Sequence, residues 1–321
     1  MTLHGLVRAL GGDLYQDGRR ANVPAPGHSP ADRSVSLWLT DGRLIIHGFG
    51  SADWRAVRDD LRARGLIDGG GRLIGGGVTR GTAPRPDPRE RRAAAAALWD
   101  DSVAIRPGNA SDRHLQGRAV RCGRAASDLR HHPRAPISVY RRAGGPTRAA
   151  LVAGISDPSG ALTAVELTYL APNGDPAPGL RLGRKAVGVI PPGSAVRLCA
   201  PAEVMLVGEG VVTTLSAIDR FGLPGWALLA ANNLASWSPP DGVRSVLIAA
   251  DRGQVGETAA ARLRRRLRSA GIDAEAIWPD PPFWDWNEVA TDAARAEAKE
   301  GRGGAPERRG SAPSTGGRQT P

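Results

Sequence analysis

Two cysteines, Cys122 and Cys199, are all that the 321 residues contain. A disulfide framework or a multi-cysteine metal site cannot be built from them within the chain, and such sparse cysteine usage suits a reducing compartment. Lysine is as scarce, occurring only at Lys185 and Lys299, and aromatic residues make up 4%. No apolar run approaches the ~18 residues of a membrane helix. The opening MTLHGLVRAL is too short and too weakly charged for a secretory signal. The chain therefore reads as soluble and cytoplasmic, with no membrane partner.

Arginine is what the sequence has in abundance. Lys and Arg total 43 against 32 Asp and Glu, for a formal charge of +11. Net charge speaks to solubility and partners rather than to fold, and this balance points to nucleic acid. A GC-rich coding sequence produces the same arginine bias, and part of the excess lies outside the segments that read as folded. With 41% hydrophobic residues, the chain is long enough for two or three folded units.

Composition shifts divide it. Residues 1–68 form a small β-rich unit, and the Gly-, Pro- and Arg-rich stretch at 69–92 reads as a solvated linker with a helical onset at RRAAAAALWD. Residues 93–200 form a mixed α+β region in which AALVAGISDPSGALTAVELTYLAP is a hairpin turning on DPSG. Within it, His131 and His132 read as part of a surface loop, and DRHLQGR as a solvated helix face. Residues 293–321 lack the apolar side chains that would offset the entropy of ordering, so a disordered basic tail is expected there.

Residues 201–292 have the clearest pattern. EVMLV, GWALLAA, RSVLIAAD and IDAEAIWP read as buried strands. VVTTLSAIDRFG reads as a helix ended by Gly222, and GETAAARLRRRLRSAG as an amphipathic helix. Strand and helix alternate, which implies an α/β fold with a mostly parallel sheet, helices on both faces, and ligands at the carboxyl ends of the strands. Glu209 and Asp251 fall at such ends, and Asp285, in PDPPFWDWNEV, is close enough in sequence to reach them. Carboxylates gathered on one edge repel unless a hard divalent cation neutralises them, and Mg²⁺ takes such oxygen ligands when phosphates complete its shell. A purely structural alternative has Asp251 capping the next helix and Glu209 solvated in a turn.

LVGEGVVTTLSA, IAADRGQVGETAA and DWNEV, in this order, resemble the Toprim domain of primases, topoisomerases and related nucleases. More narrowly, the chain is similar to Toprim-containing primase-like proteins of bacterial phages and plasmids. The resemblance implies Glu209 and Asp251 as catalytic residues and Glu209, Asp251 and Asp285 as ligands of Mg²⁺ or Mn²⁺. It also places Gly253 where the family carries a second aspartate, and Asn287 where a second acid follows the last strand. Metal binding should be weaker for it. Glu257, one turn into the following helix, suits a capping role.

APGHSPADRSVSLWLTDGRLIIHGFGSADW resembles the zinc-binding ribbon of bacterial primases, with Pro26, His28, Ser34, Ser36 and Phe49 in place. Its cysteine positions are occupied by Ala25, Gly48 and Ser51. Zinc needs about four N or S ligands, so His28 and His47 do not suffice and no zinc is expected. A metal-free unit held by Trp38, Phe49 and Trp54 is expected instead, with Arg19, Arg20, Arg33 and Arg43 as a surface for DNA.

The resemblance further implies Lys185, Arg184 and Arg252 as contacts to nucleotide or template phosphate, although an exposed Lys185 in a loop fits equally. The implied activity is Mg²⁺-dependent nucleotidyl transfer by a DNA primase, with single-stranded DNA and nucleoside triphosphates as partners. No GxxxxGK[ST] motif is present, so a helicase partner would be a separate chain. Two other readings stay open: a non-catalytic DNA-binding or replisome-loading module with an eroded site, and a Toprim nuclease.

Overall fold

The computed structural model describes residues 2–15, 18–29, 32–49, 52–74, 86–140, 144–180 and 182–303. These form two compact units, 1–85 and 86–321. No helix among the described residues is long and apolar enough to cross a membrane.

The first unit contains helix α1 (Leu3–Leu10), strands β1 (Asp13–Tyr15), β2 (Arg20–Val23), β3 (Val35–Thr40) and β4 (Arg43–Gly48), and helix α2 (Trp54–Ala63). The strands form an antiparallel sheet in chain order. Side chains alternate across a strand, so Ala21, Val23, Val35 and Leu37 face the core with Leu3, Leu6 and Leu61. The same period puts Trp38 on the other face, beneath the Arg20 guanidinium at 4.6 Å. The expectation that Trp38, Phe49 and Trp54 hold this unit is therefore corrected. Phe49 is 50% and Trp54 41% exposed, and aliphatic side chains make the core. Of the arginines expected to face DNA, Arg33 pairs with Asp13 at 2.8 Å and Arg43 donates to the Gly70 carbonyl.

A carboxylate organises the segment in which a metal-free zinc-ribbon-like turn was expected. Asp32 accepts from the Ser34 hydroxyl (2.6 Å) and from the Ala25 and Ser34 N–H groups (3.0 Å each), and stands 3.0 Å from His28 Nδ1. The Ser34 and Ala25 hydrogen bonds hold its pKa down at about 2. Ser51 lies outside the described residues. The ladder also extends past 68, through bridges pairing Arg43 with Arg72 and Ile67 with Leu73, so residues 69–74 belong to this unit and not to a linker. Residues 75–85 of the expected linker lie outside the described residues.

The second unit opens with α3 (Pro88–Asp100), begun by an Asp87–Glu90 capping box with Pro88 in the first turn. The helix thus begins at Pro88, three residues before the expected onset at Arg91. After α4 (Ala110–Gly117) and a short 3-10 turn come β5 (Leu129–Pro136), β6 (Thr147–Ser156), β7 (Leu162–Leu170) and β8 (Arg184–Gly188), an antiparallel sheet in chain order. The β6–β7 hairpin turns on DPSG as expected, with the Asp157 carboxylate accepting from Ser159 and Ala161. His131 and His132 are not in a loop. They lie buried in β5, His131 Nδ1 being 2.9 Å from the Ser111 hydroxyl and His132 Nδ1 accepting the Arg134 N–H. Nor is DRHLQGR a fully solvated face, because Asp112 and Leu115 are buried there.

The remainder comprises β9 (Val196–Arg197), β10 (Val204–Gly208), α5 (Val211–Phe221), β11 (Gly225–Ala227), α6 (Ala231–Ser236), β12 (Ser245–Ala249), α7 (Gln254–Ser269), β13 (Asp273–Ile277) and α8 (Trp286–Gly303). The sheet order is β13-β12-β10-β11-β9, parallel except for the antiparallel edge strand β9. Helices α5 and α8 cover one face, joining its core to Leu151, Ala153 and Ile155 of β6, while α6 and α7 cover the other. The α/β reading holds. Helix α8 continues to Gly303, so residues 293–303, expected in the tail, are helical, and residues 304–321 lie outside the described residues.

Because the Asp32 bonds depend on an ionised carboxylate, they contribute stability above the ordinary carboxylate range, and this contribution is lost as pH falls from about 4 toward 2. Asp32→Ala should therefore lower the thermal midpoint of the first unit's transition at neutral pH, and elemental analysis should find no stoichiometric zinc in wild type. An unchanged midpoint, or one zinc per chain, would contradict this account of the turn.

Candidate active site

The parallel strands β10 and β12 run side by side, with Gly208 opposite Ala249. Glu209 follows Gly208 directly, and Asp251 lies just beyond the buried Ala249 and Ala250. Both carboxylates leave the sheet at its carboxyl edge. The last strand feeds the same edge, where Asp285 opens α8 and accepts the Glu288 N–H at 2.8 Å.

Burial costs these charges their solvation. It pushes Asp251 up to about 7, with the Glu209 and Asp285 charges adding to the effect. Glu209 is also raised by burial, opposed by a hydrogen bond from the Ala231 N–H and by the Arg184 charge. Asp251 Oδ1 is buried and has no hydrogen-bond partner, an arrangement that water or a cation normally relieves.

Two glycines fix the turn after Asp251. A Cβ on Gly256 would stand 2.8 Å from the Asp251 carbonyl oxygen, so the start of α7 packs directly on the backbone of the acid. Gly253 has φ 110° and ψ 148°, a region populated almost only by glycine. Side-chain space there is open, so the restraint lies in the backbone, and an aspartate would have to adopt a strained conformation. Glu257 fills the capping role, accepting the Gly253 N–H at 3.2 Å.

Asn287 is 2% exposed and turned into the core, where its Nδ2 donates to the Arg118 carbonyl (2.6 Å) and to the Ser216 hydroxyl (2.9 Å). A carboxylate could not donate the first of these bonds. The amide at 287 thus has a packing reason and stands apart from the acids.

Arg184 is the cation whose field reaches Glu209, and its Nε lies 3.9 Å from Glu166 Oε2 on β7. Lys185, expected beside it, is turned away, because successive strand residues point to opposite faces. It is half-buried in β8, not exposed in a loop. Its Nζ donates to the Ile137 carbonyl (2.6 Å) and lies over the Tyr169 ring, and burial pushes it down to about 8. Arg252 helps frame the loop before α8, with Nε donating to the Pro279 carbonyl (2.6 Å) and its backbone N–H to the Trp284 carbonyl (2.8 Å). Glu166, which the sequence reading passed over, was signalled only as an acid within the apolar LTAVELTYL.

Among the described residues, no three His, Cys, Asp or Glu side chains stand close enough together to enclose one metal ion. The orphaned Asp251 oxygen and the mutual repulsion of the three acids nevertheless match the chemistry of a hard cation. Mg²⁺ keeps several waters and needs only one or two carboxylates, so the residues fit a partly hydrated ion.

Residues 204–296 match the Toprim domain, and residues 89–198 match a domain of unknown function (DUF7146). The chain therefore carries a Toprim domain in its carboxyl-terminal half. Solved structures with similarity to it include the DnaG primase catalytic domain bound to ssDNA, at 14% identity and a TM-score of 0.43, covering 67% of this chain and 81% of that one. The zinc-binding and RNA polymerase domains of the Aquifex aeolicus primase are 14% identical with a TM-score of 0.40, covering 94% and 82%. The primase fragment of the bacteriophage T7 primase-helicase protein is also 14% identical with a TM-score of 0.40, covering 61% and 81%. No curated protein matches the chain.

A carboxyl whose folded pKa is raised stabilises fully below the ordinary carboxylate range and loses that contribution as pH rises through about 7. Asp251→Asn should therefore raise the thermal midpoint at pH about 8, without divalent cations, by the equivalent of ~1–2 kcal/mol, and change it little at pH about 4. Thermal denaturation at the two pH values checks this. Equal shifts at both would mean that Asp251 is not a strained charge.

Proposed function

We propose that the chain is a primase-like, replication-associated protein that binds single-stranded DNA and nucleoside triphosphates and joins nucleotides at the acidic edge of its Toprim domain. The observation that carries this reading is Asp251, a half-buried carboxyl with an unpartnered oxygen, raised by burial and by its acidic neighbours. Asp251, Glu209 and Asp285 would hold Mg²⁺ or Mn²⁺. The bound ion would neutralise charge on the phosphates.

Each side chain then has a distinct task. Asp251, as a carboxylate, would be the principal ligand of the ion. Glu209, also raised by burial, accepts at a carboxylate oxygen the proton of the hydroxyl that attacks the α-phosphate, while the bond from that phosphate to pyrophosphate breaks and pyrophosphate leaves. A base with an elevated pKa is better matched to that transfer near neutrality than an ordinary glutamate. Arg184 meets the triphosphate, whose negative charge competes with Glu166 and Glu209 for its guanidinium. Arg252 is a further candidate for phosphate through the part of its guanidinium not bonded to Pro279. In the first unit, Arg20 stacked on Trp38 offers the paired charge and π-face that suit single-stranded DNA. A helicase would supply the unwound strand.

A second reading, a binding or loading module without catalysis, is favoured by Gly253 in place of an acid and by the absence of a three-ligand cluster among the described residues. Primer synthesis on single-stranded DNA with labelled nucleotides and Mg²⁺ or Mn²⁺ separates the readings. The catalytic reading expects products from wild type and a loss of about 10²–10⁴-fold in Glu209→Gln. Shortened template would indicate a nuclease, and binding without products would leave the module.

A further inference from the structure

The segment FWDWNEV sends its two tryptophans in opposite directions. Trp286 is 6% exposed and packs edge-on against Phe221, whereas Trp284 is 64% exposed, more than any other large apolar side chain among the described residues. An indole gains much from burial, and single exposed apolar residues are ordinary on a protein surface. Trp284 differs in how its backbone is held. Its N–H donates to Glu288 Oε2 at 2.7 Å and its carbonyl accepts the Arg252 N–H at 2.8 Å. Glu288 lies in the first turn of α8, and Arg252 directly follows Asp251. The Arg252 side chain braces the same loop at the Pro279 carbonyl. The indole is thus exposed from a peptide fixed between Asp251 and Asp285.

We propose that Trp284 is a stacking surface for a nucleobase beside the acidic edge. The proposal rests on the nucleotide-handling reading above and adds a base contact to a site otherwise described only by its charges. An indole face stacks on any base, and its attachment next to Asp285 suits a nucleotide whose phosphates meet the acidic edge and Arg184. The base is that of an incoming nucleoside triphosphate or that of the single strand. The contact chemistry is the same for both.

Trp284→Ala and Trp284→Phe in the full chain test this, and neither change touches the core, since the side chain is exposed. Anisotropy with labelled oligothymidylate at about 200 mM salt, where phosphate contacts are weakened, reports the strand. Calorimetry with ATP and Mg²⁺ reports the free nucleotide. The alanine variant should bind one of the two roughly tenfold more weakly, the scale of one lost base stack, and the phenylalanine variant should retain most of the affinity. Loss toward oligothymidylate assigns the base to the strand, and loss toward ATP assigns it to the incoming nucleotide. Unchanged affinity for both in Trp284→Ala, equal loss in the two variants, or a wild type that binds neither would overturn the proposal. Primer synthesis with unaltered Trp284→Ala binding would remove the stacking surface alone. Absent synthesis with the tenfold loss would remove the catalytic reading alone.

Discussion

Three carboxylates brought to the end of a parallel sheet must either be neutralised or remain in conflict with one another and with their burial. Asp251 is where that conflict concentrates. Its strand ends among Ala249 and Ala250, both buried, so the acid emerges at the point where solvent first becomes available but is not fully reached. Glu209 and Asp285 each find relief, the first in the Ala231 N–H and the Arg184 charge and the second in the Glu288 N–H. Asp251 Oδ1 finds none. The surrounding structure keeps the acids in place despite this cost, because β10, β12 and the start of α8 are set by hydrophobic packing on both faces of the sheet.

Backbone demands account for two departures from a fuller acidic site. At 253 the chain turns from strand to helix through a conformation reserved for glycine, and at 287 an amide donates a core hydrogen bond that a carboxylate could not. Both substitutions leave the fold well satisfied and the charge density lower. The site that results is suited to a cation that keeps part of its own water.

Much of the Toprim segment was legible in the sequence, because its strands are short apolar runs bounded by glycine and acid and its helices carry a clear apolar stripe. That periodicity located β10, β12, β13, α5 and α7, and the two strand-end acids came with it. Helix α6 was missed, since six residues are too few to show a period. Lys185 was misplaced because a dipeptide of two cations does not reveal which faces the site. Only the strand alternation of β8 decides between it and Arg184. His131 and His132 read as loop residues on polarity, yet tertiary packing of β5 buries them. In the first unit the size of the aromatic side chains does not decide burial, and the alternating Ala, Val and Leu positions of β2 and β3 form the core.

A carboxyl pushed up to about 7 is only partly ionised near neutrality, and a divalent cation proposed at the acidic edge would displace the proton it retains. Calorimetric titration with Mg²⁺ at pH about 6.5, in two buffers of different ionisation enthalpy, measures that exchange directly. A substantial fraction of one proton should be released per ion bound, with affinity rising as pH passes through about 7. Binding without proton release, with an affinity that does not change between pH about 6 and about 8, would show that the cation does not meet Asp251 and would contradict the account.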